Sequence, residues 1–222
     1  MVGLLALVVF LTATSIRHGR AVSGTDALSW HRIGHMSHSC EEDTVRRKDT
    51  TQDDLRGHVA AALLRLLERR ELSQVAVKEL AAEAGVSRST FYRLFEGKDD
   101  VVSWWYGTLM DGYVRLFAEG ADHGRAGYLR AIFDCFVAHK DGLLLLHERG
   151  CTHLILGVFR DRLADGRMSY ASAYHIGGIY GVMEQWLDGG MAEPPERMAA
   201  EGLAIMPPDF IPAAVAKARS PH

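Results

Sequence analysis

The stretch Val77–Phe95, VKELAAEAGVSRSTFYRLF, limits what this chain can fold into more than any other. It predicts two short helices joined by a tight turn. The first runs from about Val77 to Ala84, with Leu80, Ala81 and Ala84 on its inner face. Gly85 follows, where a helix that stops abruptly needs a residue tolerant of positive φ. Ser87 is placed to cap a second helix, because its hydroxyl can accept a hydrogen bond from an unpaired backbone N–H. In that second helix Phe91, Leu94 and Phe95 recur at three- and four-residue spacing and point inward.

This is a helix-turn-helix pattern. Leu80, Ala84, Val86, Phe91 and Leu94 fill the wedge between the helices, and Ala81 is small where they cross. An ordinary helical hairpin in a core shares the glycine turn and the inward leucines, but here many positions agree at once. The outward residues suit a duplex. Arg88 and Arg93 fit phosphate or guanine, Ser89 and Thr90 fit phosphate or base edges, and Tyr92 fits a phosphate oxygen. Lys78 and Ser87 complete that face, and Lys98 stands at the corner where the next helix begins, beside unpaired backbone N–H groups.

The run AGVSRSTFYRLFEGKDDVV resembles the DNA-binding signature of TetR-type transcriptional regulators. Gly85, Val86, Ser87, Thr90, Tyr92, Phe95 and Lys98 match it position by position. Two positions depart from it. Ala76 stands where the family commonly has a capping Thr, and Leu94 where it often has His or Tyr. A second stretch, GGIYGVMEQWLDGGMAEPPERMA from Gly177 to Ala199, is similar to the C-terminal part of dihydroxyacetone-kinase operon regulators. Gly177, Gly178, Trp186, Leu187, Gly190, Met191, Pro195 and Met198 carry that likeness. The resemblance implies an all-α fold, with a three-helix DNA-binding module followed by a larger helical domain for ligand binding and dimerisation. It also implies a dimeric repressor released from double-stranded DNA by a small-molecule effector, with no cofactor. The operator would be a near-palindrome read by two recognition helices about 34 Å apart.

Charge is distributed to match. Residues 44–98 hold eleven Lys and Arg against eight Asp and Glu, a net of +3, so the remainder of a chain of net charge −3 carries −6. A basic module on an acidic body fits a small nucleic-acid-binding part. The three cysteines, Cys40, Cys135 and Cys151, are odd in number and widely spaced, which suggests a reducing compartment, the cytoplasm, and no disulfide framework. The apolar run Val2–Ala13 is too short to span a bilayer, which takes about 20 residues, and no basic residue precedes it. It reads as part of a leader covering residues 1–50, with the working protein expected to begin near Met36. In that leader His31, His35, His38 and Cys40 could hold a transition metal, but no second half of a site accompanies them, so no metal is expected.

The expected order is a DNA-binding domain over residues 51–100 and a ligand-binding and dimerisation domain over 101–222. A first helix spans Asp53–Arg70, with Leu55, Val59, Leu63, Leu66 and Leu67 in one stripe and Arg56, Arg65, Arg69 and Arg70 facing water or DNA. A fourth helix opens at Lys98. Further helices span Tyr128–His139, Thr152–Leu163 and Ser169–Leu187, with a break at Asp141-Gly142 and a final helix after Pro194. Trp105, Met110, Phe133, Phe136, Tyr174, Met183 and Trp186 are candidates for an effector pocket, although core packing requires the same residue types. Ala173, Gly177 and Gly181, four apart on one helix face, invite a second helix and hence a homodimer. Phosphate loops, nucleophile elbows and zinc-hydrolase motifs are all absent from the sequence, which argues against an enzyme. The remaining alternative is an interaction protein that has lost DNA binding and uses its C-terminal domain to dock a protein or effector.

Overall fold

The computed structural model describes residues 42–163 and 169–206. Residues 1–41, with the histidine cluster and the expected start at Met36, lie outside the described residues. So do 164–168 and everything beyond Met206. The described residues form nine α-helices and no strand, in agreement with the all-α expectation.

The first helix, α1, runs Glu42–Leu67, starting eleven residues earlier than expected and ending three earlier. No Gly or Pro stands between Glu42 and Gly57, so the polar run EDTVRRKDTTQDD offers nothing to stop a helix. A short 3-10 turn at Leu72–Gln74 leads into α2, Val77–Glu83, and α3, Arg88–Leu94. Val59, Leu63, Leu67, Val75, Leu80, Ala81, Phe91, Leu94 and Phe95 are buried together and form the core of this three-helix part. Two of the arginines expected to face water or DNA tie helices together instead. Arg65 of α1 pairs with Glu83 of α2 at 2.9 Å, and Arg70, just past the end of α1, pairs with Glu79 of α2 at 2.7 Å.

Helix α4, Lys98–Glu119, is continuous across the expected domain boundary at residue 100. Its first turns bury Val101 and Val102, Trp104 meets Phe95 edge-on, and later turns bury Trp105, Tyr106, Leu109, Met110, Tyr113 and Phe117. Helices α5 (Arg125–Ala138), α6 (Lys140–Glu148), α7 (Leu154–Leu163), α8 (Tyr170–Asp188) and α9 (Pro195–Ile205) complete the body. Asp141-Gly142 does not interrupt the chain as expected; both residues lie in the first turn of α6. Gly142 is there for packing, because a Cβ on it would sit 2.6 Å from Trp105 Cζ2.

Replacing Gly142 with Ala should therefore displace a buried indole ring. The expected cost is about 1–3 kcal/mol of stability, the usual range for overpacking a filled core. Urea denaturation of the full chain measures it, and an unchanged midpoint would show that Trp105 has room to move.

Candidate nucleic-acid interface and interior cavity

The turn between α2 and α3 is built as its residue types require. Gly85 adopts φ +69°, a left-handed conformation that side chains resist. Ser87 caps α3: its Oγ accepts from the Thr90 backbone N–H at 3.0 Å and lies within hydrogen-bond distance of Ser89 Oγ and Thr90 Oγ1. Ala76 opens α2 with no side-chain cap. With Phe91 and Leu94 buried, Arg88, Ser89, Tyr92 and Arg93 are left exposed on the opposite face of α3, and Lys78 is exposed on α2. Among the described residues, Lys78, Arg88 and Arg93 enter no ion pair.

Lys98 is placed differently from its neighbours. Its ammonium donates to the carbonyls of Leu72 at 2.5 Å and Val75 at 2.7 Å, closing the end of the 3-10 turn. It fixes the start of α4 against the loop that precedes α2. In this arrangement its charge is directed at backbone carbonyls, a structural duty that spacing alone did not reveal.

Arg149 makes a second joint of the same kind. It follows α6, and its Nε donates to the Leu67 carbonyl at 2.7 Å while Nη2 donates to the Glu68 carbonyl at 3.2 Å, where α1 ends. A guanidinium suits these unpaired carbonyls because its charge complements the negative end of the helix dipole. Two residues earlier, His147 Nε2 lies 3.0 Å from Asp188 Oδ1 at the end of α8, and its Nδ1 lies 3.0 Å from the Thr152 hydroxyl. The end of α6 is thus tied on one side to α1 and on the other to α8.

The interior contains a small cavity. Met110 and Tyr113 from α4, Tyr128, Ile132 and Phe136 from α5, Phe159 from α7, and His175, Ile176 and Ile179 from α8 line it. The space open to the centre of a water molecule is about 10 Å³, room for one water. The Tyr128 hydroxyl lies 3.1 Å from His175 Nε2. The Tyr113 hydroxyl is buried and has no hydrogen-bond partner among the described residues. Burial holds both tyrosines well above the ordinary phenol range and pushes His175 down to about 4, so every ionisable group on the wall is neutral near pH 7.

Of the seven pocket candidates from sequence, Met110 and Phe136 line this cavity. The others lie elsewhere. Trp105 is buried between Tyr106, His139 and the α6 turn at Gly142. Phe133 and Trp186 meet edge-on 5.5 Å apart, and Met183 is core. Tyr174 is 69% exposed on the outer face of α8. Sequence reading missed Tyr113, Tyr128 and His175. The available signal was a polar-tipped residue inside each apolar stripe. Cys135 Sγ lies 4.0 Å from His139 Nδ1, but the thiol donates to the Leu109 carbonyl and burial raises it to about 11, which keeps it protonated near neutral pH. No group of three metal-binding side chains occurs among the described residues, and none of their helices is long and apolar enough to cross a membrane.

Known proteins resemble the chain in two places. Residues 59–103 match the family model described as bacterial regulatory proteins, tetR family, and residues 150–206 match one described as a transcriptional regulator C-terminal region. The HTH-type transcriptional regulator EthR of Mycolicibacterium smegmatis is 34% identical over 71 residues, 32% of this chain and 31% of that one. The likeness thus spans about a third of that relative's length. Among solved structures, the dihydroxyacetone kinase operon activator DhaS aligns at 15% identity and a TM-score of 0.45, over 68% of this chain and 93% of its own. The fatty acid degradation regulator FadR from Bacillus halodurans aligns at 15% identity and 0.47, over 68% and 94%.

His175 makes stability depend on pH. Its folded pKa of about 4 lies below the ordinary 6.5, so the unfolded chain takes up the proton first as pH falls. Stability present above pH 6.5 is lost between about 6.5 and 4, roughly 3 kcal/mol in all and about 2 kcal/mol of it by pH 5. Urea unfolding at pH 7 and pH 5 should show that loss in the natural chain and a smaller one in His175→Gln.

Proposed function

The chain belongs to the TetR-type family of bacterial transcriptional regulators, and from that premise we propose that it is a sequence-specific DNA-binding regulator. In this reading it is a cytoplasmic repressor, not an enzyme, and a small-molecule effector releases it. The observation that carries the reading is the polar face of α3. Arg88, Ser89, Tyr92 and Arg93 stand exposed over a buried Phe91 and Leu94, with both arginine charges unpaired among the described residues. Such a face supports contacts to phosphates and base edges in a major groove. Residues 51–100 act as the DNA-binding domain and the helices beyond as the effector and dimer domain, with α4 common to both.

A homodimer is part of the proposal. Tyr170, Tyr174, Gly177 and Gly181 lie on one outward face of α8, and among the described residues no atom comes within 4 Å of a Cβ built on either glycine. Those glycines therefore do not serve close packing among the described helices. They leave a shallow groove into which the same helix of a second copy fits about a two-fold axis, with α9 beside it. Light scattering at micromolar concentration should give twice the chain mass, and a strictly monomeric mass would remove the dimer.

The effector acts on the spacing of the two recognition helices. The cavity lies between α4, α5, α7 and α8, and two routes run from it toward α3. One is α4 itself, which carries Met110 and Tyr113 on the cavity wall and Lys98 on the carbonyls of Leu72 and Val75. The other passes from Asp188 on α8 through His147 and Arg149 to the end of α1. A ligand that favours an outward position of α8 shifts the population toward the state that does not bind DNA.

Genomic fragments selected by the purified protein supply the operator. Arg88→Ala should then weaken operator binding by about 1–3 kcal/mol and relax preference at one position in each half-site, as expected for a base contact. Affinity for scrambled DNA should change much less. If titrations at several salt concentrations show operator and scrambled DNA affected alike, Arg88 touches only phosphate. If operator affinity is unchanged, α3 is not the reading helix.

Arg149→Gln tests the second route. Loss of the two bonds to α1 should cost about 1–3 kcal/mol, the usual range for hydrogen bonds from a charged donor. It should also speed hydrogen exchange near the end of α1 while leaving α9 unchanged. Uniform exchange in both places would make Arg149 an ordinary surface residue.

A further inference from the structure

The cavity wall restricts what it can hold, and this inference deepens the effector reading above and rests on it. Six of its nine described lining residues, Met110, Ile132, Phe136, Phe159, Ile176 and Ile179, are hydrocarbon or thioether. No Lys, Arg, Asp or Glu is among them. A bound carboxylate, phosphate or ammonium would leave water without a counter-charge, which is costly in a low-dielectric interior. The wall is not purely apolar, however. Tyr113 is 1% exposed, lines the cavity, and its hydroxyl has no hydrogen-bond partner among the described residues. A buried hydroxyl on a cavity wall is a donor for an acceptor that enters the space.

We propose that the cavity is the site of an uncharged, largely hydrocarbon molecule carrying one carbonyl oxygen, and that the Tyr113 hydroxyl donates to that oxygen. The Tyr128–His175 pair closes one side of the wall as a neutral polar edge. The cavity has room for one water, so a ligand of six or seven non-hydrogen atoms enters only as α8 moves outward. Helix α8 is suited to that movement. It contains Gly177, Gly178 and Gly181, residues that weaken a helix relative to alanine, next to His175, Ile176 and Ile179 on the wall. Ligand binding and displacement of α8 are then one event.

The test is isothermal titration of the full chain at pH 7.5, without DNA, using 2-hexanone, hexanoate and hexylamine as probes. These match in length and differ in charge. 2-Hexanone should bind in the millimolar range, as expected for a ligand of seven non-hydrogen atoms. Hexanoate and hexylamine should bind at least about tenfold more weakly. Tyr113→Phe should weaken 2-hexanone about five- to tenfold while leaving the melting temperature unchanged or higher, since it removes a hydroxyl that is unpartnered without ligand. Ile179→Trp, which fills the space, should abolish binding. The proposal is overturned if 2-hexanone fails to bind at roughly 10 mM, if hexanoate binds as well as the ketone, or if Tyr113→Phe binds it unchanged. These readouts do not involve DNA. A failed ketone titration therefore leaves the operator reading intact, and a failed operator selection leaves the titration interpretable.

Discussion

Helix α4 is shared by two cores, and the rest of the molecule depends on how firmly it is held in each. At one end Val101 and Val102 are buried and Trp104 abuts Phe95, while the Lys98 ammonium binds the carbonyls of Leu72 and Val75. At the other end Tyr113 and Phe117 meet Tyr128 edge-on at 6.0 Å. In the proposed reading, this 22-residue helix between two anchors serves as a lever. Displacement of its far half would reach α3, because close-packed interiors transmit strain instead of absorbing it.

Long basic side chains hold the helix ends in this fold, in a pattern that repeats. Lys98 closes the 3-10 turn, Arg149 the end of α1, Arg125 the end of α9 through Met206, and Lys140 the loop after α8 through Met191. Each bond joins elements far apart in sequence, and each places a cation on carbonyls at or just beyond the end of a helix or turn. The geometry is more selective than a surface ion pair. Exposed pairs such as Arg130–Glu196 contribute little because water screens them. A charged donor on a part-buried carbonyl is screened less and fixes the angle at which one element meets another. For that reason Arg149 and Lys98, more than the ion pairs, set the position of the three-helix part relative to the body.

The helix-turn-helix was legible because its signals are local. Gly85, Ser87 and the spacing of Phe91, Leu94 and Phe95 each act within one or two turns of chain, and each did what its chemistry dictates. The early start of α1 was not legible from periodicity. Its first turns are polar and carry no apolar stripe, and only the lack of a breaker before Gly57 marks them as helical. The cavity was harder still. Tyr128, Ile132 and Phe136 form one face of α5 at four-residue spacing, and Met110 and Tyr113 one face of α4. Spacing indicates which residues share a face. Which faces meet depends on how several helices are rotated about their axes, and that is decided by long-range packing such as Trp105 on Gly142. Tyr174, five residues before Ile179, therefore faces outward while Ile179 faces the cavity.

The unpartnered Tyr113 hydroxyl links stability to the proposed response. Phenylalanine would fill the same space without a buried polar atom and would make a quieter core. Tyrosine there puts a buried hydroxyl donor beside a space with room for one water, against a helix that contains three glycines. These features act in the same direction. The hydroxyl offers a hydrogen bond to an acceptor that enters the opened space, and the glycines lower the cost of opening it. An acceptor on the ligand makes that hydrogen bond only when it arrives. A few kcal/mol of differential stability is enough to shift a two-state equilibrium by orders of magnitude. On this view the small size of the cavity is part of the mechanism, because a ligand that fitted without moving α8 would bind both arrangements equally and shift neither.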